Sequence, residues 1–477
     1  MSAAYATGLN LPFFNVNKPI ENQDDSDIIA RNALRVLMMG WWDDESWLGL
    51  KSWRVFNAVF INRDPVLLRG MRRAFQDGFD DIYAELNQLN LEGKQLKQAE
   101  FFLSNCMSLL PFADISAHQS FRIPQYIDKH WVMVDYKVVP IELTPTSGVE
   151  KLFIHDRDRV FAYGLEPIDN PDAEPHLIFM GTTYPAGQGF MTQVCSDLEC
   201  DTPGASLYRT GRDKITDWLD QQPKKTHVCG MSLGGSLSLL LALDQGEKLS
   251  RVDALNPPGL YEPWLKNPFD KWDNCPEQPP VYIQKQGRDP VSYFGLWKSE
   301  WNIFHVIPPQ DKQGPNALTD HALNYAGFEA TEFVIIDTDI DNQERKNRNF
   351  WVYTVGRSIV YWLFIVPFRY LVLPVLRYAW DHKIAITLLI ALTVSLPFLP
   401  SIAATIICGA LVLSAAIYLL YKLISMVTIV LGYNTVNEPR CHDQKLFQGN
   451  EEDDNDVDPD VDDVDPDVGK EELGLRV

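Results

Sequence analysis

Gly230-Met231-Ser232-Leu233-Gly234 sets a hydroxyl between glycines in the pattern G-x-S-x-G, with Gly235 directly behind. An apolar stretch, Thr226–Gly230, precedes it; a helical run, Leu233–Gln245, follows and is stopped by Gly246. In that context the serine occupies a sharp strand-to-helix turn, where the residues two before and two after must lack bulk. The turn exposes the Ser232 hydroxyl above a sheet, and the helix starting at Leu233 presents free N–H groups to a developing oxyanion. The chemistry this favours is nucleophilic acyl transfer. A serine hydroxyl needs a base for that, and the base needs an acid to orient it.

With this kind of turn the acid and then the histidine follow the serine along the chain. Asp289 closely follows the apolar strand that begins at Val281, at the carboxyl end of a sheet where active sites gather. Asp253 is a rival inside the strand Val252–Leu255, and Asp273, in a polar loop, is weaker. Only His305 and His321 lie between Asp289 and the apolar last third of the chain. His305 sits in Trp301–Ile307, which reads as a strand, and His321 sits at a loop-to-helix boundary. His321 is the expected base and His305 the alternative. No cofactor is expected for such a reaction.

These residues need elements to hold them. Residues 1–25 read as a flexible lead-in. Residues 26–120 read as a helical N-terminal or cap region. Ser26-Asp27 caps a first helix, Asp64-Pro65 starts a second, and a third runs from Lys94 to Leu110. In the second, Leu68, Phe75, Phe79, Ile82, Leu86 and Leu89 recur at spacings of 7, 4, 3, 4 and 3, one face of a helix. From about residue 121 the period shortens. Trp131–Leu143 and Val160–Glu166 read as antiparallel strands. Leu177–Met180, a helix containing Lys214–Leu219, Thr226–Gly230, Leu233–Gln245, Val252–Leu255 and Val281–Gln284 then alternate strand with helix. That order predicts an α/β fold over residues 121–345, a mainly parallel sheet flanked by helices.

The last third differs. Ile384–Ile402 and Ala403–Tyr421 contain no charged side chain, and each has about the 20 residues that span a bilayer. Pro397-Phe398-Leu399-Pro400 breaks the helix between them. A membrane region over 350–432, with a helical hairpin at about 384–421, is therefore expected. Arg377, His382, Lys383 and Lys422 flank the hairpin on one side, which the positive-inside tendency makes cytoplasmic. The preceding Tyr361–Leu376 stretch suits the bilayer interface, with Arg369 snorkelling.

The 477 residues carry 42 Lys+Arg and 64 Asp+Glu, a formal net charge of −22. From Glu451 to Val477 there are 13 acidic and 2 basic side chains, so half of that charge sits in the last 27 residues. Neither the body nor the tail has the basic excess that phosphate binding needs, and a nucleic-acid partner is excluded. Residues 445–477 read as a disordered acidic tail that repels itself and holds prolines. Seven scattered cysteines, odd in number and without paired CxxC units, indicate neither a disulfide framework nor a zinc site, and no metal ligand is expected. MSAAYATGLNLPFF lacks the charged start and long apolar run of a cleaved signal peptide, and a reducing compartment is expected.

Several runs together resemble a known group. Phe179-Met180-Gly181-Thr182, Val228–Gly235, Asn256-Pro257-Pro258 and Asp289-Pro290-Val291 look like the class 3 (fungal-type) lipase branch of the α/β-hydrolases. The resemblance covers about residues 130–330. Met231 departs from it, standing where a histidine is common. The resemblance implies an α/β-hydrolase-like fold and a triad of Ser232, Asp289 and His321, with Tyr325 as the aromatic residue behind the histidine. It implies oxyanion contacts from Thr182 and the Leu233 N–H. With the hairpin, it implies a membrane-anchored serine hydrolase acting on a lipid ester, such as an acylglycerol, phospholipid or lysophospholipid. A non-catalytic membrane scaffold on a degenerate hydrolase fold is one alternative. An acyltransferase or thioesterase with the same triad is another. Glu471-Glu472, followed by Leu473 and Leu475, resembles the C-terminal translocation signals of bacterial type IV secretion effectors. It implies secretion machinery, or another partner, bound through the tail and delivery into a host cell.

Overall fold

The computed structural model describes residues 4–11, 65–145, 158–182, 188–261, 269–314, 316–349, 355–368 and 372. The helix expected from Ser26, the hairpin at 384–421 and the acidic tail at 445–477 lie outside the described residues.

The strands are β1 (Ala4–Tyr5), β2 (Ser120–Ile127), β3 (His130–Glu142), β4 (Phe161–Pro167) and β5 (His176–Phe179). They continue with β6 (Thr226–Met231), β7 (Leu249–Leu255), β8 (Val281–Gln286), β9 (Asn302–Ile307) and β10 (Glu332–Ile335). They form one ten-stranded sheet in the order β1-β10-β9-β8-β7-β6-β5-β4-β3-β2. The run β5 to β9 is parallel. The wings are antiparallel: β2, β3 and β4 lead into β5 on one side, and β10 and β1 follow β9 on the other. The sheet is therefore mixed, with its parallel part confined to the centre, where the expectation was mainly parallel. The physical reason is connection length. β2 and β3 are joined by a two-residue turn and can only run antiparallel, whereas α4 and α5 carry the chain back across the sheet between parallel neighbours.

The helices are α1 (Pro65–Leu86), α2 (Gly93–Leu109), α3 (Phe190–Asp197), α4 (Ala205–Asp220), α5 (Leu233–Gln245), α6 (Asp270–Asp273), α7 (Ala317–Ala322), α8 (Thr338–Asn349) and α9 (Arg357–Val360). They cover both faces of the sheet. Strand residues alternate between two cores, as a pleat buried on both sides requires. In β6, Cys229 and Met231 face a core shared with α1 and α2, and Val228 faces one shared with α4 and α5. In α1, Phe75, Phe79, Ile82 and Leu86 are fully buried, the stripe that the spacing predicts. Each side chain of that size contributes about 2–3 kcal/mol on burial.

Two expectations change here. Helices α1 and α2 do not stand apart as a cap or subdomain. They share one core with β2, β3 and β6, and α2 lies across β6 and β7. Its polar residues are buried too: Ser104 and Asn105 bond Asp253 and Gln284 of the sheet, Ser108 bonds the Ser104 carbonyl, and Gln98 donates to the carbonyls of Leu9 and Ala326. The lead-in 1–25 is not flexible over residues 4–11. Ala4 and Tyr5 pair with Val334 and Phe333, Tyr5 stacks on the Phe333 ring, and Leu9 and Leu11 are buried. Two residues of edge strand are too few to leave a periodic signal. Among the described residues no helix is long and apolar enough to cross a membrane.

Candidate active site

Ser232 is the single residue between β6 and α5. Its φ of 55° and ψ of −121° lie where a non-glycine residue is strained, which is the backbone of a sharp strand-to-helix elbow. Its N–H bonds the Leu255 carbonyl at 2.8 Å, and its carbonyl accepts the first helical bond, from Ser236 at 3.1 Å. The elbow is tight enough to dictate composition. A Cβ on Gly234 would fall inside van der Waals contact with the Phe179 carbonyl, and one on Gly230 would strike Gly234. These obstacles are backbone and cannot turn aside. Gly234→Ala is expected to destabilise the fold by about 3 kcal/mol or more, read as a lowered denaturant midpoint. An unchanged midpoint would refute this packing.

Asp289 stands after β8 and is buried. Its Oδ1 accepts Val291 N at 3.0 Å and its Oδ2 accepts Ser292 N at 2.9 Å, which fixes the carboxylate over the turn it caps. His321 Nδ1 lies 2.7 Å from Asp289 Oδ1. The carboxylate accepts, so Nδ1 carries the proton and Nε2 keeps its lone pair. His321 closes α7 with its side chain 17% exposed, enough to meet a substrate.

The backbone that carries His321 is held from three sides. Asn256, at the end of β7 with φ 48°, donates to the His321 carbonyl at 2.8 Å and accepts Gln286 N at 2.7 Å. Its chain neighbour Leu255 holds the Ser232 N–H, so adjacent residues fix the elbow and the histidine loop. Asp320, fully buried, accepts Arg288 Nε at 2.8 Å and the Tyr325 hydroxyl at 2.6 Å. Burial opposes ionisation of Asp320, but these bonds outweigh it and hold its carboxyl below the usual range. No sequence pattern singles out Asp320 or Arg288, and Asn256 is marked only by the Asn256-Pro257-Pro258 run. The signal for Asn256 was an asparagine ending a strand, one of the non-glycine types enriched at positive φ.

The other candidates are placed elsewhere. His305 donates from Nε2 to the Gly287 carbonyl at 2.6 Å, bracing the turn before Asp289, and burial lowers its pKa. Asp253 is buried on the α2 side, where it accepts Ser104 Oγ at 2.7 Å and His227 Nε2 at 2.8 Å. Asp273 pairs with Lys298 Nζ at 2.5 Å. His321 and Asp289 are thus joined directly. Among the described residues no hydrogen bond links Ser232 Oγ to His321 Nε2. Such bonds are commonly long without substrate and tighten when it binds.

Gly181 backs onto the elbow. A Cβ there would lie 2.7 Å from the Met231 carbonyl oxygen and 3.6 Å from Ser232 Cβ. The Gly181 carbonyl accepts Gln193 Nε2 at 3.1 Å. That bond also orients the Thr182 N–H, which belongs to the same planar peptide. The Thr182 hydroxyl donates to Asp197 Oδ2 at 2.6 Å, so its main-chain N–H, not its hydroxyl, remains to meet an oxyanion. Among the described residues the N–H groups of Thr182 and Leu233 have no acceptor.

Asp197 is a neighbour that the sequence did not signal. Burial pushes its carboxyl up to about 6, against the Thr182 hydroxyl bond and the charges of Arg357 and His321. A raised carboxyl pKa means that the unfolded chain loses its proton first as pH rises. This group's contribution to stability therefore falls from about pH 4 to pH 6, by no more than about 3 kcal/mol. Asp197→Asn, which still accepts from Thr182, is expected to flatten that fall. Melting temperatures of both proteins across pH 4–7 test this, and parallel curves would refute it.

No family model, curated protein or solved structure matches the chain.

Proposed function

We propose that the chain is a serine hydrolase of the α/β-hydrolase fold, similar to class 3 lipases, that cleaves a lipid ester at a membrane. One observation carries the catalytic part. A strained serine elbow and an Asp289–His321 pair meet the same end of the parallel strands, tied there by adjacent residues, Leu255 and Asn256. His321 Nε2 takes the Ser232 proton as Oγ attacks the ester carbonyl. Asp289 holds the imidazole and balances its charge, and the Thr182 and Leu233 N–H groups receive the oxyanion. His321 returns the proton to the leaving alcohol, and water releases the acyl group by the same steps.

The lipid part is supported by what surrounds the site. α9 and the helical segment Tyr361–Ile365 that continues it expose Ile359, Trp362, Leu363 and Phe364, with Trp362 64% and Leu363 66% exposed. Arg357, at the start of α9, is buried and donates to the Asp197 carbonyl at 2.7 Å, so this apolar surface is pinned to the end of α3, beside the Thr182 bond. It suits a bilayer interface and leads towards the uncharged stretches at 384–421. In this reading the hydrolase domain and the acidic tail lie on the cytoplasmic face. The likeness of Glu471-Glu472, Leu473 and Leu475 to C-terminal translocation signals supports secretion into a host cell through the tail.

The test incubates full-length protein with vesicles of phosphatidylcholine, lysophosphatidylcholine or diacylglycerol and measures fatty acid by mass spectrometry. Release from at least one lipid, lost in Ser232→Ala, is the expected result. Hydrolysis of short soluble esters without lipid release would overturn the substrate class. Acyl transfer to an added alcohol in place of hydrolysis would make it an acyltransferase. No turnover of any ester or thioester would leave a scaffold.

A further inference from the structure

At the opposite end of the same strands two histidines face each other. His176 opens β5 and His227 is second in β6; they are register partners in the parallel pair, and both are buried. Their Nδ1 atoms are 3.0 Å apart, with the rings nearly perpendicular at 85°.

The outer nitrogen of each ring already has an acceptor. His227 Nε2 is 2.8 Å from Asp253 Oδ2. Arg251 pairs with that carboxylate and Ser104 donates to it, so it accepts and His227 Nε2 bears the proton. His176 Nε2 is 3.1 Å from the Tyr136 hydroxyl. That hydroxyl gives its own proton to the Glu174 carbonyl at 3.0 Å, so it accepts from His176. With both protons turned outward, two Nδ1 lone pairs point at each other. They repel unless a cation sits against both.

A third donor stands beside them. Glu174 lies two residues before His176, and its carboxylate and the two imidazoles offer ligand atoms all within 4.8 Å of one another. Ser250 Oγ donates to Glu174 Oε2 at 2.8 Å, which orients the carboxylate. We propose that His176, His227 and Glu174 bind a divalent transition-metal ion of the zinc class, at the end of the central strands away from Ser232.

The donor set and the spacing of the two nitrogens fit. Two imidazole nitrogens and a carboxylate are a zinc set, with metal–nitrogen bonds of about 2.0–2.1 Å. Nitrogens on one such ion stand about 3.0–3.4 Å apart for angles between right and tetrahedral. A metal-bound histidine commonly gives its other N–H to a carboxylate, as His227 does to Asp253. The ion would tie β5, β6 and, through Tyr136, β3 together. It stands at the far end of β6 from the elbow, so its role is structural.

The competing arrangement needs no metal. Gln125 Nε2 lies 3.3 Å from His176 Nε2. If it donates there, a proton can be shared directly between the two Nδ1 atoms. The test strips the full-length protein with a chelator and titrates zinc against a chromophoric competitor. One equivalent should bind at micromolar affinity or tighter, raise the melting temperature and leave serine labelling unchanged. Glu174→Gln should weaken binding by at least about tenfold, and His227→Ala should abolish it. If His227→Ala does not fold, Glu174→Gln decides alone. No binding, or equal affinity in wild type and Glu174→Gln, would overturn the site. So would an Nδ1–H···Nδ1 bond seen by nitrogen NMR in the zinc-supplied protein.

Discussion

Ser232→Ala is expected to lower ester turnover by a factor on the order of 10⁵–10⁶ while the fold stands unchanged. The large kinetic effect follows because acyl transfer needs the hydroxyl itself; what persists is the weaker catalysis of oxyanion donors and binding. The small structural effect follows from the elbow. The φ of 55° is imposed by β6, α5 and the Ser232 N–H bond to Leu255, and alanine meets the same strain. A melting temperature within a few degrees of wild type, with activity gone, is the expected pair of readings. Retained activity would move the nucleophile elsewhere.

Asp289→Asn is expected to lower kcat by about 10⁴ with little change in KM. The asparagine can keep an oxygen on the Val291 or Ser292 N–H, so the turn survives. Its amide N–H₂, however, would meet His321 Nδ1 and favour the tautomer with the proton on Nε2. That nitrogen could no longer take the Ser232 proton. Asp197 is the control. It is a second buried acid that bears electrostatically on His321 but touches Thr182 instead. If Asp197→Asn abolishes turnover and Asp289→Asn costs less than about tenfold, the acid assignment is wrong.

What the sequence made legible was local. Strand, glycine-flanked serine and helix lie within twenty residues, and the helix after the elbow ends where Gly246 predicts. Asp289 and His321 could be selected because chain order and strand ends restrict the choice. His305 remained open, since only the 2.6 Å bond to Gly287 shows it occupied with a turn. What was not legible depends on distant partners. A two-residue strand at Ala4 pairs near residue 333, and no periodicity announces it. Nothing within α2 announces the partners of its polar residues: Ser104 bonds Asp253 and Asn105 bonds Gln284 in the core. His176 and His227, 51 residues apart, meet only because β5 pairs with β6 in that register. Thr182 was placed near the oxyanion by resemblance, and its hydroxyl turns out to be committed to Asp197.

The most direct measurement of the central claim is covalent labelling of the full-length protein with a fluorophosphonate, followed by intact-mass and peptide mass spectrometry. A single adduct on Ser232, formed in wild type and absent from Ser232→Ala, is the predicted result, with Asp289→Asn and His321→Ala labelled far more slowly. An unlabelled wild type, or an adduct on any other residue, would contradict a Ser232 nucleophile activated by His321 and Asp289.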